Sequence, residues 1–163
     1  MAHLTCLGAV LSPFLKINTV LDTQPRLYTL LVGESATDRK STCINPTTRH
    51  FRKHVEGFKI HYGIGSPEGL QKIVKNPEDE VSILMVFDEF KAFTDKAGIR
   101  NSVLLPAINT LFESNIFENA TKKTHINIQN AHVSMLAATT LETFENIYDP
   151  RFIQIGFPNR ANN

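Results

Sequence analysis

The sequence predicts an α/β fold with a mainly parallel sheet, and three observations predict it. Short apolar runs at Leu27–Val32, Val81–Phe87 and His132–Thr140 alternate with stretches of helical periodicity. Parallel strands joined by helical crossovers require that order. The first run passes into a loop of small and polar residues that ends in Lys40, Ser41 and Thr42. The second ends in the adjacent acids Asp88 and Glu89.

A chain of 163 residues suits one domain with a substantial core. It reads as a single unit over 1–163, with a packing helix and approach in 1–24 and the core in 25–160. Hydrophobic residues make up 42% and charged residues 20%, which is ordinary for a globular protein. The net charge of +1 gives no field drawing the whole molecule to nucleic acid or membrane, and no basic stripe stands out along the sequence. Two cysteines, Cys6 and Cys43, do not make a disulfide framework and fit a reducing, cytoplasmic setting. Cys43 reads as a small buried thiol. No apolar run approaches the ~20 residues of a membrane span, so no membrane partner is expected. The sequon at Asn119–Thr121 reads as chance, because the N-terminus lacks the basic start of a secretion signal.

The elements follow in order. Leu4, Leu7, Leu11, Phe14 and Leu15 recur at helical spacing and predict an amphipathic helix to about Pro13, packed by those residues. A turn around Pro25 leads into Leu27–Val32, whose unbroken apolarity predicts a strand buried on both faces. A helix begins near Arg39, and Pro46 should end or kink it, with a second helical piece over 47–55. Alternation predicts a strand over 58–64. Ser66-Pro67-Glu68 is a helix start with proline in the first turn, and the helix runs to about Lys75. After a turn at 76–79 come the strand Val81–Phe87 and helices over 89–96 and 102–114. A short strand over 123–129, the strand His132–Thr140, a helix over 141–148 and a last strand over 152–155 complete the chain.

The loop after the first strand points to phosphate binding. Backbone N–H groups at a helix N-terminus attract anions. A lysine then reaches the β and γ phosphates, and the next hydroxyl binds Mg²⁺. With Lys40 as that lysine and Ser41 as that hydroxyl, the G-x-x-x-x-G-K-[ST] register of a Walker A loop begins at Glu34. Arg39 then stands where the second glycine belongs, and Gly33 lies one residue early. The candidate nucleotide-binding residues are Gly33, Ser35, Ala36, Thr37, Asp38, Arg39, Lys40, Ser41 and Thr42. The same segment also suits an ordinary strand-to-helix turn with a solvated Arg39-Lys40 pair.

The second strand supplies the Walker B pattern. Asp88 would hold Mg²⁺ through water, and Glu89 would polarise the attacking water as a general base. Two acids at the polar end of a buried strand are common, but an apolar strand with a phosphate loop upstream is less so. Together the segments predict a P-loop ATPase, a three-layer sandwich of the additional-strand, RecA-like type, and the early stop after Arg160 suits one truncated at its C-terminus. In that type the strand after Walker B inserts beside the P-loop strand and carries a polar sensor at its tip. Here the tip is Thr139-Thr140, with Thr140 the favoured sensor and capping of the next helix the rival role. Arg160 reads either as an arginine finger or as a surface arginine. Lys122 and Lys123 suit a solvated loop. His50 and His54, spaced i, i+4, lack a visible third metal ligand.

The order of segments resembles a helicase-like P-loop ATPase family of phages, plasmids and other mobile elements, itself similar to RecA-type and replicative helicase cores. The resemblance rests on Leu27–Thr42, Ser66–Leu70, Met85–Phe90, Ala137–Phe144 and Gly156–Arg160. It implies ATP and Mg²⁺ as cofactors and an ATPase acting on DNA in replication or mobilisation, as a homo-oligomer or part of a larger replication protein. Lys40, Ser41, Asp88, Glu89 and Arg160 carry over as site residues. Two other readings stay open: a non-catalytic nucleotide-binding or assembly module with a degenerate loop, and a small-molecule phosphotransferase on the same fold.

Overall fold

A computed structural model of the chain describes residues 1–15, 24–34, 40–76, 78–122 and 124–147. Its elements are α1 (Ala2–Leu11), β1 (Tyr28–Gly33), α2 (Lys40–His54), β2 (Lys59–Tyr62), α3 (Pro67–Val74), β3 (Val81–Phe87), α4 (Lys91–Ala97), α5 (Leu104–Glu113), β4 (Phe117–Ala120), β5 (His125–Ile128), β6 (Ala131–Thr140) and α6 (Leu141–Ile147). The strand expected over 152–155 lies outside the described residues.

Four strands form one parallel sheet in the order β1-β6-β3-β2. Alternate side chains of these strands point to opposite faces, and both faces are covered. Ile83, Met85, Phe87, Val133, Met135 and Ala137 belong to one core with residues of α3 and α5. Leu84, Val86, Leu136 and Ala138 belong to the other, with Ala2, Cys6 and Ala9 of α1 and Ile44 of α2. The sheet is therefore the middle of three layers. The chain crosses from β1 to the far edge through α2, then returns through α3 to β3 and through α4 and α5 to β6. A reversal of direction with crossovers of constant hand must put the returning helices on the opposite face, which is where α3 and α5 lie.

Local sequence explains the element ends. Ser66 accepts a hydrogen bond from the Gly69 amide at 3.2 Å, and Pro67 follows it in the first helical turn of α3. That satisfies one of the orphan donors of the helix start. Gly57 adopts φ +73° between α2 and β2, a conformation that costs glycine little.

Four expectations are corrected. First, α1 packs by its small residues. Ala2, Thr5, Cys6, Gly8 and Ala9 are buried, whereas Leu4, Leu7, Phe14 and Leu15 are exposed. The helix lies close enough for the Thr5 and Thr29 hydroxyls to bond at 2.7 Å and for Ser82 to donate to the Ala9 carbonyl. Large side chains on this face would hold the helix away. Second, α2 continues through Pro46 as one helix. Pro46 is exposed, while Ile44, Thr47 and Thr48 around it are buried. The Thr47 and Thr48 hydroxyls donate to the carbonyls of Cys43 and Ile44, so packing on both sides of the proline outweighs the lost backbone bond. Third, β1 is an edge strand among the described residues, with Val32 exposed, rather than a strand buried throughout. Fourth, the strand expected over 123–129 is present as β5 but is not alone: β4, which was not expected, pairs with it antiparallel, and Phe117, Ile126 and Ile128 pack into the core beside α3 and α5.

The close approach of α1 gives a prediction. A Cβ on Gly8 would lie 2.2 Å from the Pro25 carbonyl oxygen. Helix propensity alone would favour Gly8→Ala by ~1 kcal/mol, but overpacking against backbone costs ~1–3 kcal/mol. The net result is a destabilised protein, read as a lower urea midpoint. An unchanged or higher midpoint would show that α1 shifts freely.

The thiols also differ from expectation. Cys6 is buried and Cys43 is exposed on α2. Burial pushes the Cys6 pKa up to about 11, which suppresses the reactive thiolate. A maleimide reagent on the native protein should label Cys43 quickly and Cys6 only after unfolding, as peptide mass mapping would show.

No helix among the described residues is long and apolar enough to cross a membrane.

Candidate functional site at the C-terminal edge of the sheet

Parallel strands deliver their C-terminal ends to one edge of a sheet, where ligands of open α/β folds bind. Here the register places Gly33 at the end of β1 level with Thr140 at the end of β6, and Val32 level with Thr139. On the other side of β6, Phe87 of β3 is level with Ala137. Asp88 and Glu89 leave β3 beside the last residues of β6. The Phe90 amide donates to the Ala138 carbonyl at 2.7 Å, which keeps the two chain segments together past the ladder.

Lys40 opens α2. Its ammonium donates to the Gly33 carbonyl at 2.9 Å and to the Glu34 carbonyl at 2.8 Å. The start of the loop and the start of the helix are thus tied together, and the charge sits at the end of β1. Ser41 and Thr42 follow as exposed residues in the first turn of α2. That turn contains no acid. Ser35, Ala36, Thr37, Asp38 and Arg39 lie outside the described residues, as does Arg160.

Asp88 and Glu89 are both exposed. Glu89 has partners: its Oε1 accepts from the Thr139 hydroxyl at 3.0 Å and, more distantly, from the Lys91 amide at 3.4 Å. Thr139 is fully buried, so its hydroxyl is a fixed donor that sets the direction of the carboxylate. Thr140 has the other role open to the pair. It accepts from the Thr143 amide at 3.1 Å and donates to the Thr143 hydroxyl at 2.8 Å, the bond pattern of a helix N-cap for α6. Thr139, the residue bonded to the acid, was the less favoured of the two from sequence. The signal for it is strand alternation: Thr139 is in phase with Val133, Met135 and Ala137, whereas Thr140 is the last residue before a helix.

Ser41 and Asp88 offer one hydroxyl and one carboxylate, both hard oxygen donors. Mg²⁺ is held by one or two protein oxygens together with phosphates and waters rather than by a full protein cage, so this donor set fits it. No group of three or more His, Cys, Asp or Glu able to hold a metal is found among the described residues. His50 and His54 lie side by side on the exposed face of α2 with ring centroids 4.5 Å apart and the rings tilted by 38°, and the His54 Nδ1 lies 2.9 Å from the His50 carbonyl. Their arrangement is that of a polar helix face. Lys122 is exposed in the β4–β5 turn, and Lys123 lies outside the described residues.

No protein-family profile matches the chain, and no curated protein is detectably similar to it.

Proposed function

We propose that the C-terminal edge of the sheet binds ATP with Mg²⁺ and hydrolyses it, and that turnover acts on DNA. The observation that carries the ATP part is the convergence of three adjacent parallel strands. β1 brings the Gly33–Lys40 contact, β3 brings Asp88 and Glu89, and β6 between them brings the Thr139 hydroxyl onto Glu89. The action on DNA draws on the resemblance of the ordered segments to helicase-like ATPases.

Each residue has a role that its position supports. To meet a phosphate, the Lys40 ammonium exchanges two neutral carbonyls for anionic oxygens, which are stronger acceptors. Ser41 and Asp88 would hold Mg²⁺, which when bound neutralises phosphate charge. Glu89 would take a proton from the attacking water. The bond from Thr139 fixes which way that carboxylate points and leaves Oε2 for the water. A positioned general base of this kind contributes ~10²–10⁴-fold to a rate.

One observation favours a second reading. Arg39 stands where a glycine normally lets the loop wrap around phosphate, and Asp38 adds a negative charge beside it. A module that binds nucleotide without turnover, or completes its site only in an assembly, would suit that loop.

The test is ATP turnover by the wild type, with and without single-stranded DNA, beside Lys40→Ala. Turnover that requires Mg²⁺, rises with DNA and is lost in the variant supports the motor reading. Binding without turnover supports the non-catalytic module. Transfer of the γ-phosphate to a small acceptor, with no effect of DNA, supports the phosphotransferase.

A further inference from the structure

The far edge of the sheet, away from β1, gathers the basic residues of α2 and β2. Residues 49–62 hold four Lys and Arg against one acid, Glu56, in a chain whose net charge is only +1. Arg49, Arg52 and Lys53 are spaced i, i+3 and i+4 and so share one face of α2; all three are exposed. Among the described residues β2 is an edge strand, paired with β3. It carries exposed Lys59 and Tyr62, with His61 between them. The Arg52 guanidinium lies 5.9 Å above the centre of the Tyr62 ring, and Tyr62 is 50% exposed. The edge is therefore basic on both sides: Arg52 and Tyr62 lie on the α2 face, and Lys59 and His61, in phase with Ile83 and Met85, lie on the other. Its field is felt by His61, whose pKa is lowered first by burial and then by the charges of Lys59 and Arg52.

We propose that this edge binds a single strand of nucleic acid, with Arg49, Arg52, Lys53 and Lys59 on the phosphates and Tyr62 as a stacking platform for a base. Basic side chains along a groove or edge with an interleaved aromatic ring are how proteins hold single strands without reading sequence. Arg52 adds a cationic face beside the ring. Among polyanions, a nucleic acid fits better than a lipid surface, since only a nucleic acid has flat bases to stack on Tyr62. The surface lies at the strand opposite β1 and needs no nucleotide. The inference deepens the DNA part of the reading above, yet it stands or falls without ATP hydrolysis.

The experiment is fluorescence anisotropy of a labelled 20-residue oligothymidylate and a 20-residue oligouridylate, without nucleotide, over a series of salt concentrations. Wild-type binding should weaken as salt rises, with a log–log slope of about −0.7 per phosphate contact. Arg52→Ala combined with Lys59→Ala should weaken binding at least about tenfold at low salt and flatten that slope by about 1.4. Tyr62→Ala should weaken binding about tenfold with the slope unchanged, because stacking is not ionic. A wild-type urea midpoint in each variant checks that the fold is intact. Tighter binding of one oligonucleotide assigns DNA or RNA, and equal binding assigns single strands of either kind. No wild-type binding at 50 mM salt, on the order of the low-salt conditions where such contacts are strongest, would overturn the proposal. So would variants that bind as tightly as the wild type, or tighter binding to phosphatidylserine vesicles than to either oligonucleotide.

Discussion

Glu89→Gln is expected to lower ATP turnover by at least about a hundredfold while leaving Mg²⁺-ATP affinity within a few-fold of wild type. Glutamine keeps the shape and the acceptor oxygen toward the Thr139 hydroxyl, so the bond at 3.0 Å has an equivalent in the variant. What is lost is the ability to take a proton from water. A fall in kcat with KM preserved would be the signature of a group needed in the transition state rather than in binding. Thr139→Val probes the same carboxylate from its buried side. It removes the hydroxyl but keeps the branched shape, and one lost hydrogen bond of ~1 kcal/mol corresponds to a loss of roughly five- to tenfold. Thr139→Ser should restore most of that loss, which a purely structural defect would not predict. Turnover unaffected by Glu89→Gln would remove the general-base role and favour the non-catalytic module.

The largest expected effect on stability lies at the other end of the sheet. Arg26 is 3% exposed. Its NH1 donates to the Leu111 carbonyl at 2.6 Å and to the Ser114 carbonyl at 3.0 Å, and its NH2 meets the side-chain oxygens of Gln24 and Asn115. The guanidinium thus closes the C-terminal end of α5, where carbonyls lack helical partners and the dipole is negative. Arg26→Met fills similar space but leaves those acceptors buried without their donor. The expected loss is ~3 kcal/mol, seen as a lower urea midpoint with an unchanged slope. Arg26→Lys should recover only part of it, because an ammonium cannot span the fork of acceptors that a guanidinium reaches. Wild-type stability in Arg26→Met would mean that the helix end finds other partners. Because Arg26 stands just before β1, its loss should also loosen the strand that ends at Gly33.

What the sequence made legible was mostly periodicity and punctuation. Seven consecutive residues from Val81 to Phe87 form β3 with the bounds read from their apolarity, because a strand in the middle of a covered sheet is apolar on both faces. Ser66-Pro67 marked the start of α3 through capping chemistry that needs no tertiary context. The position of β6 between β1 and β3 was also anticipated, as the strand arrangement that the additional-strand reading implies.

Features set by tertiary contact were less legible. Apolar spacing in α1 revealed a helix, but not which side would face a sheet already crowded by Leu84, Val86 and Leu136. There the small residues fit. An apolar run such as β1 does not announce that it will sit at an edge. β4 is short and polar, and its pairing with β5 is a cross-strand property with no local signature. In the candidate site, Lys40, Asp88 and Glu89 were visible as residue types at the ends of predicted elements. The choice of Thr139 over Thr140 as the partner of Glu89 required the register and the hydrogen bonds. The basic edge was hidden for a related reason: Arg52 meets Tyr62 only because β2 returns alongside α2.

The most direct test of a nucleotide site at this edge is calorimetric titration of the wild type and Lys40→Ala with Mg²⁺-ATP. Saturable wild-type binding that weakens at least about tenfold in the variant is expected, as the loss of a charge-assisted bond to phosphate requires. No binding by the wild type, or equal affinity in the two proteins, would contradict it.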